Sequence, residues 1–205
     1  GRYVDDVQLP NTARAWILRS PFAHANIKFI NTSAAEAAPG VLLVLTGKDW
    51  EECGWGDLPV GSGRKRPDGS PMFVPPMKPI VVDGRVRRVG DYVAMVVAET
   101  ENQAKDACEL IEVDYEMLPS VTSGKKALAE GAPAIFDECP DNICFLHEVG
   151  DKEAVDTAFA QADHVTSHKL DITRVMAATM EPRGCTAHYS SFDDTYTLYT
   201  TLQGV

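Results

Sequence analysis

The sequence predicts an α+β protein, and three observations carry that reading. Apolar runs and period-two alternation recur from residue 14 to residue 202, helical stretches interrupt them at irregular intervals, and no internal repeat imposes a solenoid or propeller.

Taken in order, residues 14–19 read as a short strand, Ser20-Pro21 turns the chain, and residues 25–30 read as a second strand with Ile27 and Phe29 on one face. Thr32 is an N-cap candidate for a helix of about two turns, with Glu36 in its first turn and Pro39-Gly40 to stop it. The uninterrupted apolar run of residues 41–45, closed by Thr46-Gly47, predicts a buried strand placed centrally in a sheet. Residues 54–79 are dense in Gly and Pro, which a central strand does not tolerate, so they form a long surface excursion of the kind that often carries function. Asp83-Gly84 between two β-rich runs predicts a hairpin over residues 80–87.

Residues 91–98 read as another strand. Residues 100–110 follow as a helix, with Thr100 as N-cap, Gln103 completing a capping box, and Ala104, Ala107, Cys108 and Leu110 on the apolar face. Residues 111–115 alternate as a half-buried strand, giving a strand–helix–strand unit whose pairing direction periodicity cannot fix. A polar stretch after Leu118-Pro119 places a domain boundary near residue 136. Beyond it, residues 151–162 form an amphipathic helix that begins in acid, and residues 164–174 and 195–202 alternate as strands, the latter after an Asp193-Asp194 turn.

Composition narrows the function classes. With 205 residues, 44% hydrophobic and 24% charged, the chain can bury a core as one large domain or two smaller ones. A formal net charge of −11 argues against nucleic acid and anionic lipid as partners, and the basic cluster Arg64-Lys65-Arg66 reads as a solvated loop tip. No run approaches the roughly 18 apolar residues of a membrane helix, so membrane insertion is not expected. Five cysteines, an odd number in a chain of this length, favour a reducing compartment, hence the cytoplasm.

Residues with chemistry are few. Cys139 and Cys144 have four residues between them, but no second pair completes a metal set, so they read as buried or partly buried free thiols. His164 and His168 fall on a strand-like segment without an acidic partner and read as structural or surface residues. His24, beside a turn, is better suited to binding backbone than to catalysis. Glu181-Pro182-Arg183 reads as an ion pair fixing a turn. No phosphate-binding glycine loop and no nucleophile elbow is present.

Three segments in order carry a family resemblance: Arg19-Ser-Pro-Phe-Ala-His-Ala25, Val86-Arg-Arg-Val-Gly-Asp-Tyr-Val-Ala-Met-Val-Val-Ala-Glu-Thr100 and Ile111-Glu-Val-Asp-Tyr-Glu-Met-Leu-Pro119. Together they resemble the α/β hammerhead domain of the xanthine dehydrogenase/aldehyde oxidase molybdenum hydroxylases, over residues 1–136. Residues 137–205, with Asn142-Ile-Cys-Phe145, Glu181-Pro182-Arg183 and the ending Gln203-Gly204-Val205, resemble the start of the molybdopterin-binding domain. The branch they look most like is the carbon monoxide dehydrogenase large subunit.

The resemblance implies an incomplete amino-terminal piece of a molybdenum-cofactor subunit, a reading to which the absent initiating Met adds. The family reaction would be oxidative hydroxylation of an aldehyde, N-heterocycle or carbon monoxide with water as oxygen source. FAD and 2Fe-2S would sit in partner subunits or domains of an oligomeric complex. Gln203 is the single cofactor-site candidate, since a side-chain amide can donate to a metal oxo group while accepting from its surroundings. The family's catalytic glutamate and most pterin-binding segments fall beyond Gln203, so no catalytic residue or metal ligand is assigned, and the piece alone is expected to hold no cofactor and to be inactive. The alternative is a non-catalytic hammerhead interaction or assembly module.

Overall fold

A computed structural model describes residues 1–60, 63–172 and 175–202, and their contacts separate two units: Ala13–Val149, and Gly1–Thr12 together with Gly150–Val205. The first contains β1 (Arg14–Arg19), β2 (Ala25–Asn31), α1 (Ser33–Glu36), β3 (Val41–Thr46), α2 (Gly47–Glu52), β4 (Arg85–Val86), β5 (Tyr92–Ala98), α3 (Glu101–Glu109), β6 (Glu112–Met117) and α4 (Gly124–Ala127). The second contains a 3-10 turn at Val4–Asp6, then α5 (Lys152–Gln161), β7 (Cys185–Ser190) and β8 (Thr195–Thr200).

Two three-stranded antiparallel sheets build the first unit, in the orders β1-β5-β3 and β4-β2-β6. The middle strand β5 buries Val93, Ala94, Val96 and Ala98, so both of its faces are covered. On one face lies α3, whose buried residues Ala104, Ala107 and Cys108 are small enough to let the helix seat close to the strands. Thr100 caps α3 by accepting the Gln103 N–H at 3.3 Å, and the Thr100 hydroxyl donates to Gln103 Oε1 at 2.8 Å. Leu18, Ile30 and Val113 pack against the cluster around α3 and also against the one formed by Ala25, Val86 and Val93, which joins the two sheets.

Several expectations need correction. The strand at residues 41–45 is β3, an edge strand with Leu42 and Leu43 exposed, because β5 pairs with it on one side only. Asp83-Gly84 does turn, with Gly84 at φ +69°, but no hairpin forms: Val81 N–H donates to Tyr92 O, while Arg85 and Val86 pair with β2. The strand–helix–strand unit is not a crossover within one sheet, since β5 and β6 belong to different sheets. The helix after Thr32 is the single turn α1, and the Thr32 side chain makes no cap bond; Asn31 Oδ1 accepts Ser33 N–H instead. Leu110 is exposed.

The helix α2 was not anticipated, although its capping box is written in the sequence: Thr46 N–H and hydroxyl both donate to Asp49 Oδ2, at 2.7 and 2.6 Å. Its first residue, Gly47, lies so close to the chain at residues 81–82 that a Cβ there would meet Val81 O at 2.0 Å.

In the second unit, α5 begins as expected with Asp151 Oδ1 accepting Ala154 N–H at 2.9 Å. Residues 164–172 form no strand: alternation alone cannot supply a pairing partner, and β7 and β8 pair with each other in a separate two-stranded sheet.

Candidate functional site

The β7–β8 hairpin leads to the residue singled out in the sequence. Its turn is set by Asp194 at φ +53°, with Tyr189 hydroxyl donating to Asp194 Oδ1 at 3.0 Å and Thr195 hydroxyl to Asp193 Oδ1 at 2.8 Å. Hydrogen bonds from Ser190 and Thr195 hold the Asp193 carboxyl below the usual range. Tyr189 and Tyr196 face each other across the strands with ring centroids 4.8 Å apart.

At the open end, Gly184 N–H donates to Thr201 Oγ1 at 3.1 Å and Thr201 N–H returns to Gly184 O at 3.3 Å. Gln203 follows Leu202 in sequence and lies outside the described residues. Glu181 does not serve the ion pair expected of it with Arg183: its Oε1 accepts the backbone N–H of Val4 at 2.8 Å.

The side chains of β7, β8 and α5 are largely exposed, the Thr200 and Thr201 hydroxyls donate to Gly184 O, and two cavities of about 490 and 270 Å³ are both lined by residues of the other unit. The smaller is an apolar hollow between Ile17, Leu45, Ile80, Met95 and the edge-on pair Trp50 and Trp55.

The other candidates resolve into structural roles. His24 is buried, and its Nδ1 is 2.7 Å from Pro119 O, a backbone bond as anticipated. His164 and His168 are exposed in irregular chain. Cys139 is buried but Cys144 is exposed. Among the described residues no group of three or more His, Cys, Asp or Glu is placed to hold a metal ion.

Of the basic cluster, Arg64 and Lys65 are exposed as a loop tip would have them, but Arg66 is not. Arg66, mostly covered, donates through Nη2 to both carboxylate oxygens of Asp141 at 2.8 and 2.7 Å, and through Nη1 to Ile143 O and to Cys139 Sγ at 3.1 Å. The Ile143 N–H and then the Arg66 guanidinium hold the Asp141 carboxyl below its ordinary range. Leu146 N–H to Lys65 O at 2.8 Å and Phe73 N–H to Cys144 O at 2.9 Å complete a latch between the excursion and residues 139–146. Sequence reading missed it because its halves lie 75 positions apart.

Comparison with known proteins agrees with this architecture. Residues 1–119 match the family model described as the aldehyde oxidase and xanthine dehydrogenase a/b hammerhead domain, and residues 135–205 match the molybdopterin cofactor-binding domain. The chain is 34% identical to the carbon monoxide dehydrogenase large chain of Afipia carboxidovorans, over 99% of this chain and 25% of that one. It is 36% identical to the nicotine 6-hydroxylase large subunit of Paenarthrobacter nicotinovorans, over 99% of this chain and 24% of that one. Among solved structures, quinoline 2-oxidoreductase from Pseudomonas putida 86 superposes with a TM-score of 0.83 at 35% identity, covering 99% of this chain and 25% of the other. The chain thus spans about a quarter of the length of the curated relatives it matches.

Proposed function

The chain belongs to the aldehyde oxidase and xanthine dehydrogenase family of molybdenum hydroxylases, and on that premise we propose that it serves as the hammerhead and the opening part of the cofactor domain in a molybdopterin-containing hydroxylase subunit. The observation that carries this is the succession of a hammerhead match and a molybdopterin-domain match in one chain. On this reading the boundary between the two domains lies near residue 136, within the interval between a match ending at 119 and one beginning at 135, or just past it.

Molybdopterin, when bound in the complete subunit, supplies the oxidative hydroxylation of a small carbon substrate with water as oxygen source. This chain's contribution is more limited. Its hammerhead unit brings its own core, while Val155, Phe159, Leu170, Ile172, Met176 and Leu198 of the other unit stand exposed. Exposed apolar side chains of this kind suit packing against other parts of a cofactor domain. By family resemblance, Gln203 is the residue of this chain that would serve the molybdenum centre, as a hydrogen-bonding amide rather than a ligand.

The relatives carry names for carbon monoxide and nicotine chemistry, so the substrate class stays at carbon monoxide, aldehyde or N-heterocycle. Their description as large chains and large subunits supports assembly with other subunits, which the family resemblance implies to be iron–sulfur and FAD partners. Free thiols suit a cytoplasmic setting. No helix among the described residues is long and apolar enough to cross a membrane.

The test is substitution in the complete molybdenum subunit. Gln203→Ala is expected to lower turnover of carbon monoxide, benzaldehyde or quinoline, whichever is oxidised, by at least tenfold at unchanged molybdenum content. Full turnover in that variant would remove Gln203 from the site, and a complete subunit that oxidises none of the three and binds no molybdenum would favour the assembly-module reading.

A further inference from the structure

We infer that Glu181 is a positioning residue: its carboxylate fastens an amino-terminal strap, residues 1–12, to the base of the β7–β8 hairpin and so holds the end of β8, from which Gln203 follows in sequence. Its functional meaning rests on the reading of Gln203 as the cofactor neighbour; the mechanical claim does not.

Four contacts carry it. Glu181 Oε1 accepts Val4 N–H at 2.8 Å across 177 positions of sequence, in a half-buried setting. Val4 opens the 3-10 turn, so its N–H has no partner within the turn, and an ionised carboxylate is a strong acceptor for it. The Thr179 hydroxyl donates to Glu181 O at 2.6 Å, and Pro182 fixes the next φ, so the path from Glu181 toward Gly184 is stiff. Gly184 then exchanges both of its backbone groups with Thr201, and its α-carbon faces the strap closely enough that an added Cβ would touch Val4 Cγ1 at 3.8 Å. One short turn, residues 181–184, therefore grips the strap with its first residue and the end of β8 with its last.

The grouping of residues agrees. The hammerhead match begins at residue 1, yet the contacts place Gly1–Thr12 with Gly150–Val205. The strap is covalently ahead of the hammerhead and structurally part of the cofactor-side unit.

The test is amide exchange on the complete molybdenum subunit, resolved by mass spectrometry at peptides carrying Val4 and Thr201. In Glu181→Ala, exchange at Val4 and at Thr201 is expected to accelerate about tenfold, the scale of one charge-assisted hydrogen bond. Glu181→Gln keeps an acceptor oxygen of the same shape and is expected to restore both rates, which also keeps the test informative if the alanine variant loses the hairpin. Unchanged Val4 exchange in Glu181→Ala, or Glu181→Gln behaving like Glu181→Ala, would overturn the anchoring. Acceleration at Val4 with Thr201 untouched would overturn the positioning of β8. Failure of the Gln203 reading shows separately, as full activity of Gln203→Ala in the complete subunit while the exchange pattern stands.

Discussion

The two units obey the same local rules and differ in what they bury. In each, a helix starts at a side-chain cap, Thr100 for α3 and Asp151 for α5, and strands pair antiparallel, with register shifts only in the first unit. Yet every buried residue among those described belongs to Ala13–Val149, and none belongs to Gly1–Thr12 or Gly150–Val205. Capping and pairing decide that an element forms; burial decides whether it stays formed alone, and a two-stranded hairpin beside an exposed helix is marginal by itself. The hammerhead unit thus has a core of its own, and the described residues of the other unit bury none.

The contrast is broken most severely by introducing a charge on each side of it. Val96→Asp would place an unpaired carboxylate at a fully buried position of β5 and is expected to cost more than about 4 kcal/mol, enough to unfold the hammerhead in a urea titration followed by circular dichroism. Leu198→Asp on exposed β8 should shift the same curve by no more than about 0.5 kcal/mol. Equal losses would mean that the two units share one core.

Next in size is Gly47→Ala. Backbone, not a flexible side chain, occupies the space its Cβ would need, so a loss of about 3 kcal/mol is expected in the same titration.

The capping box of α2 gives a smaller, pH-dependent effect. Burial raises the Asp49 carboxyl, but the Thr46 hydroxyl and N–H outweigh it and leave the group below its ordinary value. A carboxyl lowered in the folded state contributes fully above its unfolded pKa of about 4, and that contribution is lost as pH falls through the folded value. Asp49→Asn should cost about 1 kcal/mol at neutral pH and flatten the decline in stability below pH 4. A parallel decline in wild type and variant would show that Asp49 carries none of it.

The smallest global effect belongs to Arg66→Ala, whose consequences are local. Amide exchange at Phe73 and Leu146, the two N–H groups of the latch, should accelerate while β5 amides keep their protection. Protection unchanged at both would leave the guanidinium without a role in holding the excursion.

What could be read from residues alone follows the range of the interaction. The cap and face of α3, the alternation of β6 and the acidic start of α5 are written within a few positions and were legible. The box at Thr46 and Asp49 was equally local and was overlooked. The place of β3 in its sheet, the partners of Arg85 and Val86, the clamp on Arg66 and the grip of Glu181 on Val4 depend on segments up to 177 positions apart, which no local period encodes. Asp83-Gly84 shows the limit well: the turn formed, but its flanks found other partners. Gln203 owes its candidacy to family resemblance, and it lies outside the described residues.

We propose that the hammerhead unit of this chain folds by itself and that its cofactor-side unit does not hold molybdopterin unaided. Metal and pterin analysis of the purified 205-residue chain, with its fold verified by circular dichroism, tests it most directly. The account predicts a folded protein with molybdenum far below stoichiometry and no hydroxylase turnover; stoichiometric, tightly held molybdenum or turnover by this chain alone would contradict it.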